Sequence, residues 1–390
     1  MIYNDFCTGC GLCKSLGLSE LEKDKKGFFI ATERNKEFIE FCRNVCPASG
    51  VQTNNFDNEN IWGKCNSVYL GYSSDSEIRY AASSGGILTA IAMYLLEYNI
   101  VDGVIQTMED PDKPINTITH CSITVDDIKK CCGSRYSSST PLSNIMDYVG
   151  NKKKYVFIGK PCDVTALKNM AKINDDINKS FPIMLSFFCA GAPSERANKK
   201  MLEKMGTNLE KCKSLSYRGN GWPGFATVIE HNGTKKQLTY QETWRNILGR
   251  DVRLACRFCL DGIGEMADIA CGDAWYLDEN GKPRFDENKG RNVIFSRSEL
   301  GEKILKDSKD AGYIEIQDYD KYFKELSFSQ TYQLERRQTM RVSIFAMKLF
   351  GRNVPNYNKK LLRSYSQDLN FKKQSRRFIG IAKRIIQGKI

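Results

Sequence analysis

Apolar positions follow two rhythms between about residues 68 and 330. GILTAIAMYLLEY (86–98) has helical length and propensity, and VDGVI (101–105) follows as a short strand. YVFIG (155–159) reads as a strand running into a turn at Lys160–Pro161, and DVTALKNMAK (163–172) as the next helix. PIMLSFF (182–188) has the apolar run of a buried strand, and FATVIEH (225–231) the alternation of a half-exposed one. Strands alternating with helices predict an α/β (mixed α+β) domain over 65–330. Before it, residues 1–60 form a small cysteine-bearing module ending in the polar stretch TNNFDNEN (53–60), which is expected to be a linker. After it, 331–390 is expected to be a helical appendage with apolar stripes at Val342, Phe345, Ala346, Leu349 and Phe350 and at Phe378, Ile381, Ala382, Ile385 and Ile386.

Charge sharpens the boundary at the tail. The chain has a net charge of +12, but residues 330–390 hold 15 Lys and Arg against only Glu335 and Asp368. The remaining residues carry 43 basic and 44 acidic groups, so the main body has no electrostatic case for binding nucleic acid. The cationic stripe of the last helix fits peripheral contact with an anionic membrane, docking on the protein's own body, or an acidic partner such as a ferredoxin-like donor. No apolar run approaches the ~18 residues of a spanning helix, and Met1 leads straight into polar residues, so a cytoplasmic location is expected, with the inner membrane face as a peripheral alternative.

Fifteen cysteines in a reducing compartment point to metal rather than disulfides. Cys7, Cys10 and Cys13 fall at intervals of three, and Cys42 and Cys46-Pro47 follow. Three closely spaced thiolates with a later Cys-Pro match a ferredoxin-type [4Fe–4S] site, because each iron of a compact cube takes one cysteine. Gly9 and Gly11 let the backbone wrap such a cube. Cys46 is the expected fourth ligand, Cys42 can replace it, and a structural zinc knuckle is the alternative use of four of these thiolates. A second set comprises Cys162 and Cys189, each ending an apolar strand, and the chelating pair Cys256 and Cys259. Spacing alone does not show that these four converge.

In order, the segments CTGCGLC, YAASSGGILTAIAMYLLE, VDGVI, GSRYSSST, GKPCDVTAL, FFCAGAP, GNGWPG and CRFCLDGIGEMADIACGD resemble the coenzyme F420 hydrogenase/dehydrogenase beta-subunit family. That family includes 7-hydroxymethyl chlorophyll a reductase-like proteins and members encoded in polysaccharide gene clusters. The resemblance covers roughly residues 5–330 and leaves out the tail. It implies a flavin-binding domain with a ferredoxin-like iron–sulfur module, carrying FAD and one or two [4Fe–4S] clusters. It further implies that Cys162, Cys189, Cys256 and Cys259 hold a cluster beside the flavin. CKSLGL stands where many relatives carry a Cys-Pro after the first triplet, so two clusters in all are expected.

For the flavin, Ser84, Gly85 and Gly86 open a helix whose free amides suit a pyrophosphate. Arg135 and Tyr136 lie in a hydroxyl-rich loop suited to phosphate, ribose or ring. Lys160 is placed to stabilise an anionic reduced flavin, and Trp222 to stack on a ring. Asp273 is the carboxylate expected to serve proton transfer, with Glu265 and Asp268 nearby in sequence. The expected function is an FAD- and [4Fe–4S]-dependent oxidoreductase. It would pass electrons from a ferredoxin-type donor or redox partner subunit to a small-molecule or glycan-precursor substrate. The alternatives are a coenzyme F420-dependent hydrogenase/dehydrogenase beta subunit and a non-catalytic zinc-stabilised scaffold.

Overall fold

The computed structural model describes residues 5–319 and 323–390. The N-terminal hairpin pairs β1 (Leu21–Lys23) with β2 (Phe29–Ala31). Its turn closes on Asp24, whose carboxylate accepts from the Lys26 and Phe28 amides at 2.8 and 2.9 Å. Eight strands then build one mixed sheet: β3 (Ser67–Ser73), β4 (Gly103–Glu109), β5 (Thr117–Ser122), β6 (Tyr155–Gly159), β7 (Ile183–Phe187), β11 (Ile269–Asp273), β12 (Asn292–Ser296) and β13 (Ile314–Asp318). The spatial order is β13-β3-β12-β11-β7-β6-β4-β5. Only β4, β6, β7 and β11 run parallel to their sheet neighbours within the centre. A separate antiparallel sheet joins β8 (Cys212–Ser216), β9 (Phe225–Glu230) and β10 (Lys235–Thr239).

Side-chain alternation along the strands explains the layers. Val104, Val156 and Ile183 face the helices Ile87–Glu97 and Glu299–Asp310, while Ile105, Phe157 and Met184 face the helix Pro161–Ala171. Both faces are covered, so the central strands read as continuous apolar runs. The helix Pro161–Ala171 places its start beyond the carboxyl end of β6, and Cys189 follows the end of β7. Loops at the carboxyl ends of parallel strands are where open α/β sheets hold ligands.

The stretch 53–60 is not a free linker. Thr53 and Phe56 are buried, and Thr53 Oγ1 accepts from the Asn358 amide at 3.0 Å. The tail folds onto this module: Met340, Ile344, Met347, Leu361, Ile381 and Ile385 share a core with Phe6, Ala48, Phe56 and Phe258. Ile381 and Ile385 are buried as the second stripe predicts, whereas Ile386 is exposed. The first stripe is turned: Phe345 and Leu349 are 60% and 64% exposed, and of the five expected residues only Ala346 is buried. Two registers satisfy helical spacing here, and hydrogen bonding selects between them. Ser343 faces inward because its hydroxyl donates to the Thr339 carbonyl at 2.9 Å and accepts from Arg377 Nε at 2.8 Å. Among the described residues no helix is long and apolar enough to cross a membrane.

Candidate functional site

Cys7, Cys10, Cys13, Cys42 and Cys46 line one cavity of about 410 Å³, its mouth included. The first three sit on a loop with Gly9 at φ +71° and Gly11 at φ +91°, a conformation open to glycine. A Cβ on Gly11 would stand 2.8 Å from the Ser143 amide nitrogen, so the loop also has no room for a side chain. Arg253 clamps it, donating to the Cys7 carbonyl at 3.0 Å and the Phe29 carbonyl at 2.8 Å. Cys42 comes from the helix Lys36–Asn44 and Cys46 from the turn after it. The thiols of these two hydrogen-bond each other, which pushes the Cys46 thiol up; burial adds to this. Burial pushes the Cys10 thiol up to about 12. Because thiolates rather than thiols ligate metal, loading metal here releases protons.

The second set converges. Cys162, Cys189, Cys256 and Cys259 all line a cavity of about 650 Å³, together with Lys160, Gln52, Asp261, Arg336 and Tyr357. Cys162 stands in the first turn of Pro161–Ala171, and Cys256 in the short helix Leu254–Arg257. The Ala192 amide donates to Cys256 Sγ at 3.3 Å. Burial pushes the Cys189 thiol up to about 11, with neighbouring Cys256 adding to it and Arg336 opposing. Burial pushes Cys259 up to about 12, again against Arg336. Thr8 and Pro47 line both cavities, so the two thiol sites share a wall. The Thr8 hydroxyl in that wall is buried without a protein partner, as is Arg336 Nε beside the inner site.

Both sets fit iron–sulfur clusters. Among the described residues no three Cys, His, Asp or Glu are gathered tightly enough for a single metal ion. The thiols instead ring a space, the demand of a polynuclear cluster in which each iron takes its own cysteine. Orphaned N–H and O–H groups in the walls are donors of the kind that bond cluster sulfurs.

The residues expected to hold FAD gather too, but much of their chemistry is already taken up by the protein. Ser83, the loop at Gly133–Ser134 and Arg218 meet, with the Ser134 amide donating to Ser83 Oγ at 2.7 Å. Gly85 and Gly86 are packing glycines: a Cβ would lie 2.7 Å from Asn292 Oδ1 at Gly85 and 3.1 Å from Ile78 Cγ2 at Gly86. The Ser84 hydroxyl donates to the Arg291 carbonyl at 2.9 Å. Arg135 binds the carbonyls of Pro114, Leu215 and Asn116 and the Glu109 carboxylate through Nη1 and Nη2, while its Nε is buried with no protein partner. Tyr136 packs against Trp244 and Tyr217. Trp222 stacks on Trp275 at 4.7 Å, and its Nε1 donates to Asp273 at 3.1 Å. Asp273 is held by both Nη atoms of buried Arg218 at 2.9 and 3.1 Å. Lys160 belongs to the inner cysteine cavity: its Nζ lies 2.7 Å from buried Asp163 and donates to Ser139 Oγ at 2.9 Å. Burial acts against its ammonium, but Asp163 together with Cys162 and Cys189 holds the pKa up. Glu265 pairs with Arg337, and Asp268 accepts from the Met184 amide at 2.8 Å.

Sequence reasoning missed Arg253, Arg336 and Tyr357. Each is brought to its site by a contact spanning much of the chain, and an arginine in a basic tail has no local mark of such a role.

The comparisons with known proteins agree with the fold. Residues 68–147 match the model for the coenzyme F420 hydrogenase/dehydrogenase beta subunit N-terminal region, and residues 152–322 that for its C terminus. The chain is 29% identical over 246 residues to the F420-dependent formate dehydrogenase subunit beta of Methanocaldococcus jannaschii, covering 62% of this chain and 59% of the relative. It is 24% identical to the coenzyme F420 hydrogenase subunit beta of Methanococcus voltae, covering 75% of this chain and 99% of the relative. A chain of the F420-reducing [NiFe] hydrogenase complex from Methanosarcina barkeri superposes with TM-score 0.58 at 21% identity, over 76% of this chain and 98% of that one. The ordered motifs, the mixed sheet and the two matched segments give one conclusion: the chain belongs to the coenzyme F420 hydrogenase/dehydrogenase beta-subunit family.

Proposed function

We propose that this chain is an oxidoreductase subunit that moves electrons between a redox partner and coenzyme F420, with two [4Fe–4S] clusters passing single electrons to a flavin-class two-electron carrier that delivers them to F420 as hydride. The observation that carries the reading is the shared wall: Thr8 and Pro47 line both thiol cavities, so two cluster sites stand next to each other inside the chain. Cys7, Cys10, Cys13 and Cys46, with Cys42 as the reserve, would hold the outer cluster. Cys162, Cys189, Cys256 and Cys259 would hold the inner one. Such clusters supply one-electron transfer when bound. The chain's own residues enclose them: Arg253 fixes the outer loop, and the Ala192 amide and Asp261 order the inner one.

The similar proteins are named for F420, which favours the F420 alternative as the substrate reading. A glycan-precursor substrate has no counterpart among those relatives. A partner subunit is supported by the solved neighbour, which is one chain of a hydrogenase complex. The test is turnover: anaerobically loaded protein with reduced viologen as donor should bleach coenzyme F420. Fully loaded protein that leaves F420 untouched under these conditions would refute the reading.

A further inference from the structure

The tail, residues 331–390, lies outside both matched family segments, yet it closes the inner cysteine cavity. Arg336, on the helix Thr331–Gln338, is 4% exposed. Its Nη2 donates to the Cys189 carbonyl at 3.1 Å and its Nη1 to the Cys256 carbonyl at 3.3 Å. Gln333 joins it, donating from Nε2 to the same Cys189 carbonyl at 3.1 Å. Two of the four expected ligands are thus backed by one guanidinium that also lines the cavity. Arg336 Nε is buried with no protein partner, which leaves one donor for a group inside. The body is shaped for this side chain: a Cβ on Gly262 would stand 1.5 Å from Arg336 Nη2 and 2.2 Å from Gln333 Oε1. Gly262 has no positive φ to explain it, so space for the arginine is what its glycine supplies.

We infer that Arg336 is a positioning residue that raises the reduction potential of the inner cluster, so that the C-terminal extension tunes the electron affinity of that cluster. The inference rests on the two-cluster reading above. Reduction adds one electron and no proton to the cluster, so the reduced form carries one more negative charge. A fixed cation a few ångströms away in a site of low dielectric stabilises that charge, and a hydrogen bond to sulfur acts in the same sense. Arginine suits the task because it keeps its charge when buried. The inner cluster therefore takes up an electron more readily than it would without Arg336.

The experiment is a potentiometric titration of the full, anaerobically loaded chain followed by electron paramagnetic resonance, with iron content measured on each sample. Arg336→Gln should move the inner cluster's midpoint to a more negative value, leave the outer cluster's midpoint in place and keep the iron content. Arg336→Lys, which retains the charge, should restore part of the shift. Gly262→Ala displaces the guanidinium from outside the tail, should reproduce the negative shift, and decides the matter if Arg336→Gln does not fold. Full iron with an unmoved inner midpoint in these variants would overturn the inference while leaving the clusters intact. A wild-type chain that takes up no iron would overturn the reading beneath it.

Discussion

Replacing Arg337 with Met should release the tail from the body in a pH-dependent way. Arg337 is 1% exposed; it donates to the Leu260 carbonyl at 3.0 Å and pairs with Glu265 and the Tyr365 hydroxyl. Met fills much of the volume, so the main loss is the charge facing a carboxylate that is itself 4% exposed. Breaking a buried pair from one side costs about 3–5 kcal/mol. Arg297, the other cation facing Glu265, remains and keeps the loss toward the lower end. Burial already holds the Glu265 carboxyl above its ordinary pKa against the pull of Arg337, and the variant should raise it further. A folded-state pKa above the unfolded one gives stability that is present at low pH and lost as pH rises. The deficit of the variant should therefore grow by up to about 1.4 kcal/mol per pH unit between the folded-state pKa of Glu265 in the parent chain and its higher value in the variant. Urea denaturation at pH 5.5 and pH 8 measures it. Equal deficits at the two pH values, or a deficit under about 1 kcal/mol at pH 8, where a broken buried pair should cost several, would refute the argument.

Cys10→Ser should remove about four iron atoms per chain and spare the inner site, and Cys259→Ser should do the reverse; iron and acid-labile sulfide assays read both. Gly11→Ala forces a Cβ to 2.8 Å from the Ser143 amide at φ +91°, so it should cost about 1–3 kcal/mol and lose the outer cluster selectively. Gly86→Val should destabilise the fold through Ile78 and Ser73 whether or not any ligand is added, which thermal unfolding in both conditions will show. With Ile381 and Ile385 docked on the body, the intact chain should stay in the supernatant with anionic liposomes; salt-sensitive cosedimentation would restore the membrane contact that the tail's charge pattern suggests.

Some of this was legible from residues alone and some was not, for physical reasons. The outer thiols declare themselves because their ligands are local: Cys7, Cys10 and Cys13 sit on one loop with the glycines it needs. The inner set is split across β6, β7 and the 254–259 segment, so only the sheet order brings it together. The strands were readable because both faces of the central sheet are covered. The helix Met340–Leu349 was misread because two apolar registers fit its spacing, and Ser343 decides between them through a contact with Arg377. Motifs record residue types and not the contacts they make: Arg135 Nη1 and Nη2 and the Ser84 hydroxyl bond backbone carbonyls from distant segments.

The account's central claim is that two clusters sit either side of the wall formed by Thr8 and Pro47. Electron paramagnetic resonance of the fully reduced, anaerobically loaded chain tests it most directly. Two paramagnetic clusters at that separation should give a broadened, interacting spectrum that collapses to a simple single-cluster signal in Cys10→Ser. Stoichiometric zinc without acid-labile sulfide, or two sharp signals unchanged by that substitution, would contradict it.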